Sequence, residues 1–177
     1  MPAPPPFNFY RFVEEWSIPF PPEAVWDVMA DARLLPLWWK GVYLKSEPLD
    51  GYDRPRVGAA VRAQARGFLP YRLNFTIEAT ELERPNIIAV KTVGDLTGTC
   101  HYTLRAVAPS RDLSRGWEPA VPGGTKVVMD ERVLAEKPLL RLLTPLLKPL
   151  FAANHRWTTP RAERGLTAYL ERHAARV

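Results

Sequence analysis

The sequence predicts an α+β fold in which one antiparallel sheet packs against a long C-terminal helix. Three observations predict it. Strand-like segments follow one another without alternating helices, which implies antiparallel rather than parallel pairing. Helical signals early in the chain form a short pair directly after the first strand. The last quarter, Pro138 to Arg176, is a run of helix formers carrying two apolar stripes and interrupted by Pro145, Pro149 and Pro160.

Met1 to Pro6 is proline-rich and reads as a loose leader. Phe9 to Ile18 then alternates, with Tyr10, Phe12, Glu14, Trp16 and Ile18 on the face expected to point inward. Glu14 is an acid among aromatics, so it is either an edge residue reaching solvent or a cavity carboxylate. Pro21-Pro22 ends the strand and opens a helix, because proline is tolerated in a first helical turn. Ala24, Val25, Val28 and Met29 supply its apolar side. Asp31 is placed to cap a second short helix through Leu35, with Pro36 as its stop.

Five more strands are expected from about Trp39 to Glu47, Val57 to Phe68, Tyr71 to Glu83, Ile87 to Val93 and Thr99 to Val107. Tyr71, Leu73, Phe75, Ile77 and Ala79 point inward in the clearest of them. Cys100, Tyr102 and Leu104 share a face opposite His101 and Thr103. Residues 108–124 hold prolines, glycines, serines and Trp117, and read as a long loop that is a lid, a contact surface or a self-packed segment. Thr125 to Ala135 is the last strand, with Val127, Met129, Glu131 and Val133 on one face.

A helix from Leu139 to Arg172 would be roughly 50 Å long, whereas a compact chain of this size is about 40 Å across. It must therefore bend or overhang, and the prolines are the expected bend points. Leu139, Leu143, Leu146, Leu150 and Trp157 share one face. Phe151, His155, Thr158, Ala162, Leu166 and Tyr169 share another, whose mixture of small, polar and aromatic groups suits either a cavity wall or a close approach of strands.

At 177 residues, the chain is expected to be one domain, residues 1–177, with 46% hydrophobic and 24% charged residues. No run approaches the roughly 20 apolar residues of a membrane span, and no signal-peptide layout opens the sequence, so the cytoplasm is the expected compartment. The single cysteine, Cys100, excludes an internal disulfide and a cysteine-rich zinc site. The net charge of +5 comes from scattered residues, which argues against a nucleic-acid partner. Arg141, Lys148 and Arg156 leave room for a transient contact with anionic lipid.

The segments P-P-E-A-V-W-D-V-M-A-D, L-P-L-W-W-K-G-V, L-P-Y-R-L, G-D-L-T-G, G-T-K-V and F-x-x-N-H-R-W occur in that order between Phe9 and Leu170. Together they resemble the START-like, polyketide cyclase/dehydrase and lipid-transport superfamily (SRPBCC). The resemblance implies a helix-grip fold: a curved sheet of about seven strands around a C-terminal helix, enclosing an apolar cavity. It also implies an aromatic residue at the position here held by Glu131, and glycine and methionine where this chain has Ala162 and Thr159.

The ligand-binding residues expected on this reading are Glu14, Trp16, Phe75, Cys100, Tyr102, Met129, Glu131, Phe151, His155, Thr158 and Tyr169. His155, Glu131 and Tyr102 are the candidate acid–base groups, with a plain structural His–Glu pair as the alternative for the first two. His101, His155 and His173 lack metal-ligand spacing, and no nucleophile elbow or phosphate-binding glycine loop is present, so no metal or cofactor is expected. The expected partner is a small hydrophobic or amphipathic molecule, bound by a carrier or sensor. The alternative is a polyketide aromatase/cyclase working in the same cavity.

Overall fold

Phe9–Ile18 forms β1, as the alternation predicts, and its register pairs it along its whole length with the last strand. The computed structural model describes residues 6, 8–49, 51–67, 71–108, 123–136 and 157–173. The remaining strands are β2 (Tyr43–Pro48), β3 (Ala60–Ala65), β4 (Leu73–Glu83), β5 (Ile87–Gly94), β6 (Leu96–Val107) and β7 (Gly124–Ala135). They form one antiparallel sheet in the order β1-β7-β6-β5-β4-β3-β2. From β2 to β7 neighbours in sequence are neighbours in space, while β1 pairs with β7 and lies at the opposite edge from β2.

Helix α1 is Pro22–Met29, with proline in its first turn and Val25 and Met29 buried. A short 3-10 turn, Ala32–Leu34, is capped by the Asp31 carboxylate, which accepts from the Arg33 amide. The same carboxylate receives the Arg33 guanidinium and the Tyr52 hydroxyl, tying the helical connection to the loop after β2.

Pro36 does not stop a helix here. It opens one, α2 (Leu35–Trp38), because in a first turn its missing N–H has no partner to lose. The expected strand from Trp39 therefore begins only at Tyr43, after a turn in which Gly41 adopts a φ of 79°. The expected strand from Val57 to Phe68 shrinks to Ala60–Ala65, with Gly58 at a φ of 82° just ahead of it. Within β4 an irregularity between Ala79 and Glu81 resets the alternation, so that Leu82 rather than Glu81 turns inward.

Residues 157–173 form a helix, α3, laid across the sheet. Thr158, Ala162, Leu166 and Tyr169 are all buried, as the helical spacing predicts. Two hydrogen bonds pin it: the Trp39 indole donates to the Thr158 carbonyl, and the Ser17 amide donates to Glu163. Leu139, Leu143, Leu146, Leu150, Phe151, His155, Arg141, Lys148, Arg156 and Trp117 lie outside the described residues.

Candidate functional site

The hollow of the sheet follows from its register. Ala79 faces Val90, Val90 faces Cys100, Cys100 faces Glu131 and Glu131 faces Phe12. Five strands thus place three small side chains, one flexible one and, at the β1 end, Phe12 in a single row across the concave face. The adjoining row is taller: Leu82, Ile88, Tyr102, Met129 and Glu14 follow one another across the same strands. A low row beside a tall one leaves a trough, which is faced by α1, α2 and the start of α3.

The result is a cavity of about 190 Å³. Its sheet wall includes Phe75, Ile77, Ala79, Val90, Cys100, Tyr102 and Glu131, and its helix side includes Met29, Leu35, Trp38, Trp39 and Thr158. Aromatic rings form a belt around it. Trp38 stacks on Trp39 at 5.3 Å, Trp39 leans on Tyr43 at 5.3 Å, and Tyr43 meets the edge of Phe75 at 6.4 Å. Such contacts add specific geometry to the area that the rings bury.

One part of the wall is polar. The Tyr102 hydroxyl and the Cys100 thiol are neighbours on β6 that share a face, and the Glu131 carboxylate and Tyr43 hydroxyl belong to the same electrostatic cluster. Burial pushes the Cys100 thiol well above its ordinary range, and the nearby Glu131 carboxylate pushes it further. Burial likewise raises Tyr102 and Tyr43, reinforced by Cys100 at the first and by Glu131 at the second. All three groups therefore hold their protons at neutral pH. Cys100 is not a nucleophile in this state, because the thiolate is the reactive form. Nearer the loop after β2, burial beside the Asp31 carboxylate lifts Tyr52 to about 12. Two further polar groups are buried without a hydrogen-bond partner among the described residues: the Thr92 hydroxyl and the Trp38 indole N–H, both in cavity-lining residues.

The expected site residues divide by position. Phe75, Cys100, Tyr102, Glu131 and Thr158 line the cavity. Met129 and Glu14 face each other at the far end of the tall row and are not part of the lining. Trp16, only 1% exposed, lies beneath the wall, its ring 6.0 Å from that of Tyr102. Tyr169 is buried away from the cavity and stacks on His173 at 4.0 Å. Phe151 and His155 fall outside the described residues. Glu14 and Glu131, both expected at the ligand, sit on adjacent strands but in different rows: Glu131 is opposite Phe12, and Glu14 opposite Met129.

Several lining residues were not among those expected. Tyr10 and Phe12 were legible as inward-facing, but their convergence with Trp38, Trp39, Tyr43, Val90 and Thr92 depends on strand register. No signal in the local sequence marks Ala79 or Val90 as the floor of a cavity. Among the described residues, no group of three or more His, Cys, Asp or Glu side chains is placed to hold a metal ion, and no helix is long and apolar enough to cross a membrane.

The model of a protein family described as polyketide cyclase/dehydrase and lipid transport matches residues 18–153. The Zhui aromatase/cyclase from Streptomyces sp. R1128 has a similar structure, with a TM-score of 0.65 at 12% identity over 94% of this chain and 96% of that one. A protein from Thermus thermophilus is similar with a TM-score of 0.60 at 18% identity, over 90% of this chain and 98% of that one. The di-domain aromatase/cyclase BexL of the BE-7585A biosynthetic pathway gives 0.58 at 15% identity; 91% of this chain covers 51% of that one, so this chain spans about half its length. At such identities the likeness is one of fold, and the fold is the helix grip. No curated protein matches the sequence.

Proposed function

Since the chain belongs to the polyketide cyclase/dehydrase and lipid-transport family, we propose that it binds a small hydrophobic or amphipathic molecule in the cavity between the sheet and α1, α2 and the start of α3. The observation that carries this reading is the unfilled trough over Ala79, Val90 and Cys100. The apolar lining of this cavity of about 190 Å³ lacks protein neighbours on its open side. A guest that fills it returns contacts to the lining and stabilises the fold. An apolar cavity of about 150 Å³ accepts benzene, so a small aromatic or a short acyl chain matches the space. The hydroxyls of Tyr43 and Tyr102, both protonated, supply donors to an oxygen on the guest.

Native mass spectrometry of the purified protein, followed by organic extraction, tests this. A bound mass that disappears on extraction, with a fall in Tm that the extract restores, is the expected outcome. Protein that carries nothing and takes up no apolar probe such as 1-naphthol refutes it.

A second reading is supported by the polar cluster. Aromatising ring closure forms a carbon–carbon bond and expels water, and the departing oxygen needs a proton. Tyr102, whose hydroxyl keeps its proton at neutral pH, can donate a hydrogen bond to that oxygen. Under this reading Tyr102→Phe retains guest binding and loses ring closure of a poly-β-carbonyl substrate, followed as new aromatic absorbance. Under the carrier reading no such absorbance forms with either protein.

A further inference from the structure

A second concavity lies on the outer side of α2, between it and α3. It is lined by Leu37, Trp38, Lys40, Arg161, Arg164, Gly165, Ala168 and Arg172. Four of these residues are cationic and none is acidic. Among the described residues, none of the four forms an ion pair with a carboxylate. Arg161 donates to the Trp157 carbonyl and stacks at 3.6 Å on the Trp157 ring, and Arg164 donates to the Pro160 carbonyl. The acids of α3 do not neutralise the groove. Glu163 is engaged with the Ser17 amide at the edge of the sheet, and Glu171 is not among the lining residues. Several arginines elsewhere on the surface are paired, as in Arg11 with Asp130 and Arg84 with Asp27.

The groove is basic, but it is not purely polar. Leu37 is 48% exposed in its lining, and Trp38 forms its floor while also lining the cavity. We propose that this face docks on an anionic lipid bilayer. Lys40, Arg164 and Arg172 are exposed and meet the headgroup phosphates and carboxylates, while Leu37 enters the boundary between headgroups and acyl chains. This pairing of cations around an exposed aliphatic side chain is what an interfacial contact requires: electrostatic attraction to the surface plus apolar area removed from water. A nucleic acid would leave Leu37 without a partner, and the lining offers no exposed aromatic face on which a base could stack. The proposal goes beyond cavity binding and does not depend on it.

Co-sedimentation with vesicles tests it, using phosphatidylcholine alone and an equal mixture of phosphatidylcholine and phosphatidylserine, at low and high salt. The protein is expected to sediment with the mixed vesicles at low salt and to remain in solution with pure phosphatidylcholine. Lys40→Ala, Arg164→Ala and Arg172→Ala each weaken partitioning about five-fold, and the triple variant about a hundred-fold. Leu37→Ser weakens it as well, with the salt dependence retained. Ala79→Leu, which fills the cavity, partitions like the wild type, so failure of the cavity reading leaves this result intact. The substituted side chains other than Leu37 are exposed cations, and unchanged thermal melts show that the variants fold. The proposal is overturned by equal sedimentation with both vesicles, by a triple variant that partitions like the wild type, or by binding of duplex DNA without binding of either vesicle.

Discussion

Gly165 of α3 packs directly on the carbonyl oxygen of Trp38 at the end of α2, leaving no room for a Cβ between them. Backbone meets backbone, so neither side can rotate away. Alanine in place of Gly165 gains about 1 kcal/mol of helix propensity, but the overpacking costs typically about 1–3 kcal/mol, and more where backbone must move. Gly165→Ala is therefore expected to lower stability, read as a lower urea midpoint with an unchanged slope. A midpoint at or above the wild-type value would show that α2 and α3 are not held this closely.

The floor of the cavity offers a cleaner separation of binding from folding. Ala79→Leu puts a branched side chain into the trough opposite Val90. Filling existing space commonly stabilises by about 0.5–2 kcal/mol, while the guest loses its room. The expected outcome is an equal or higher Tm together with at least a ten-fold loss of affinity for an apolar probe. Undiminished uptake would place the guest elsewhere.

The buried polar cluster makes stability fall at alkaline pH. Burial raises Tyr43, Tyr102 and Cys100 above the ordinary values of 10.0 for tyrosine and 9.0 for cysteine. Well below pH 9 all three are neutral in both states and stability is complete. Above it the unfolded chain ionises first, and each group then subtracts up to about 1.4 kcal/mol per pH unit until its folded value is reached. Urea midpoints between pH 8 and pH 11 are expected to fall, less steeply in Tyr102→Phe. In the same buried state Cys100 is expected to resist a thiol reagent until urea unfolds the protein. Rapid labelling of the native protein would contradict this account of the wall.

Strand content is readable because alternation is a local property. Tyr71 to Glu83 and Thr99 to Val107 show which side chains share a face, and burial of Phe75, Ile77, Cys100 and Leu104 follows that pattern. Sequence and structure part where the same residue type has two local meanings. Pro36 reads locally as a helix stop, although proline also starts helices, and only the preceding turn through Asp31 and Ala32 decides between them. The candidate site is legible in part for a related reason. Cys100, Tyr102 and Glu131 are marked by chemistry on inward faces, whereas Ala79 and Val90 carry no chemical mark at all.

By itself, then, the sequence determined the order and type of most elements, the inward faces of the strands and the buried stripe of α3, since each depends on residues within a few positions of one another. Tertiary structure alone decided that Ala79, Val90, Cys100 and Glu131 stand in one row. It also decided that Lys40 shares a groove with Arg172. Those groupings join residues far apart in the chain, and a shift of one residue in a single strand pairing would have turned a different set of side chains into the hollow.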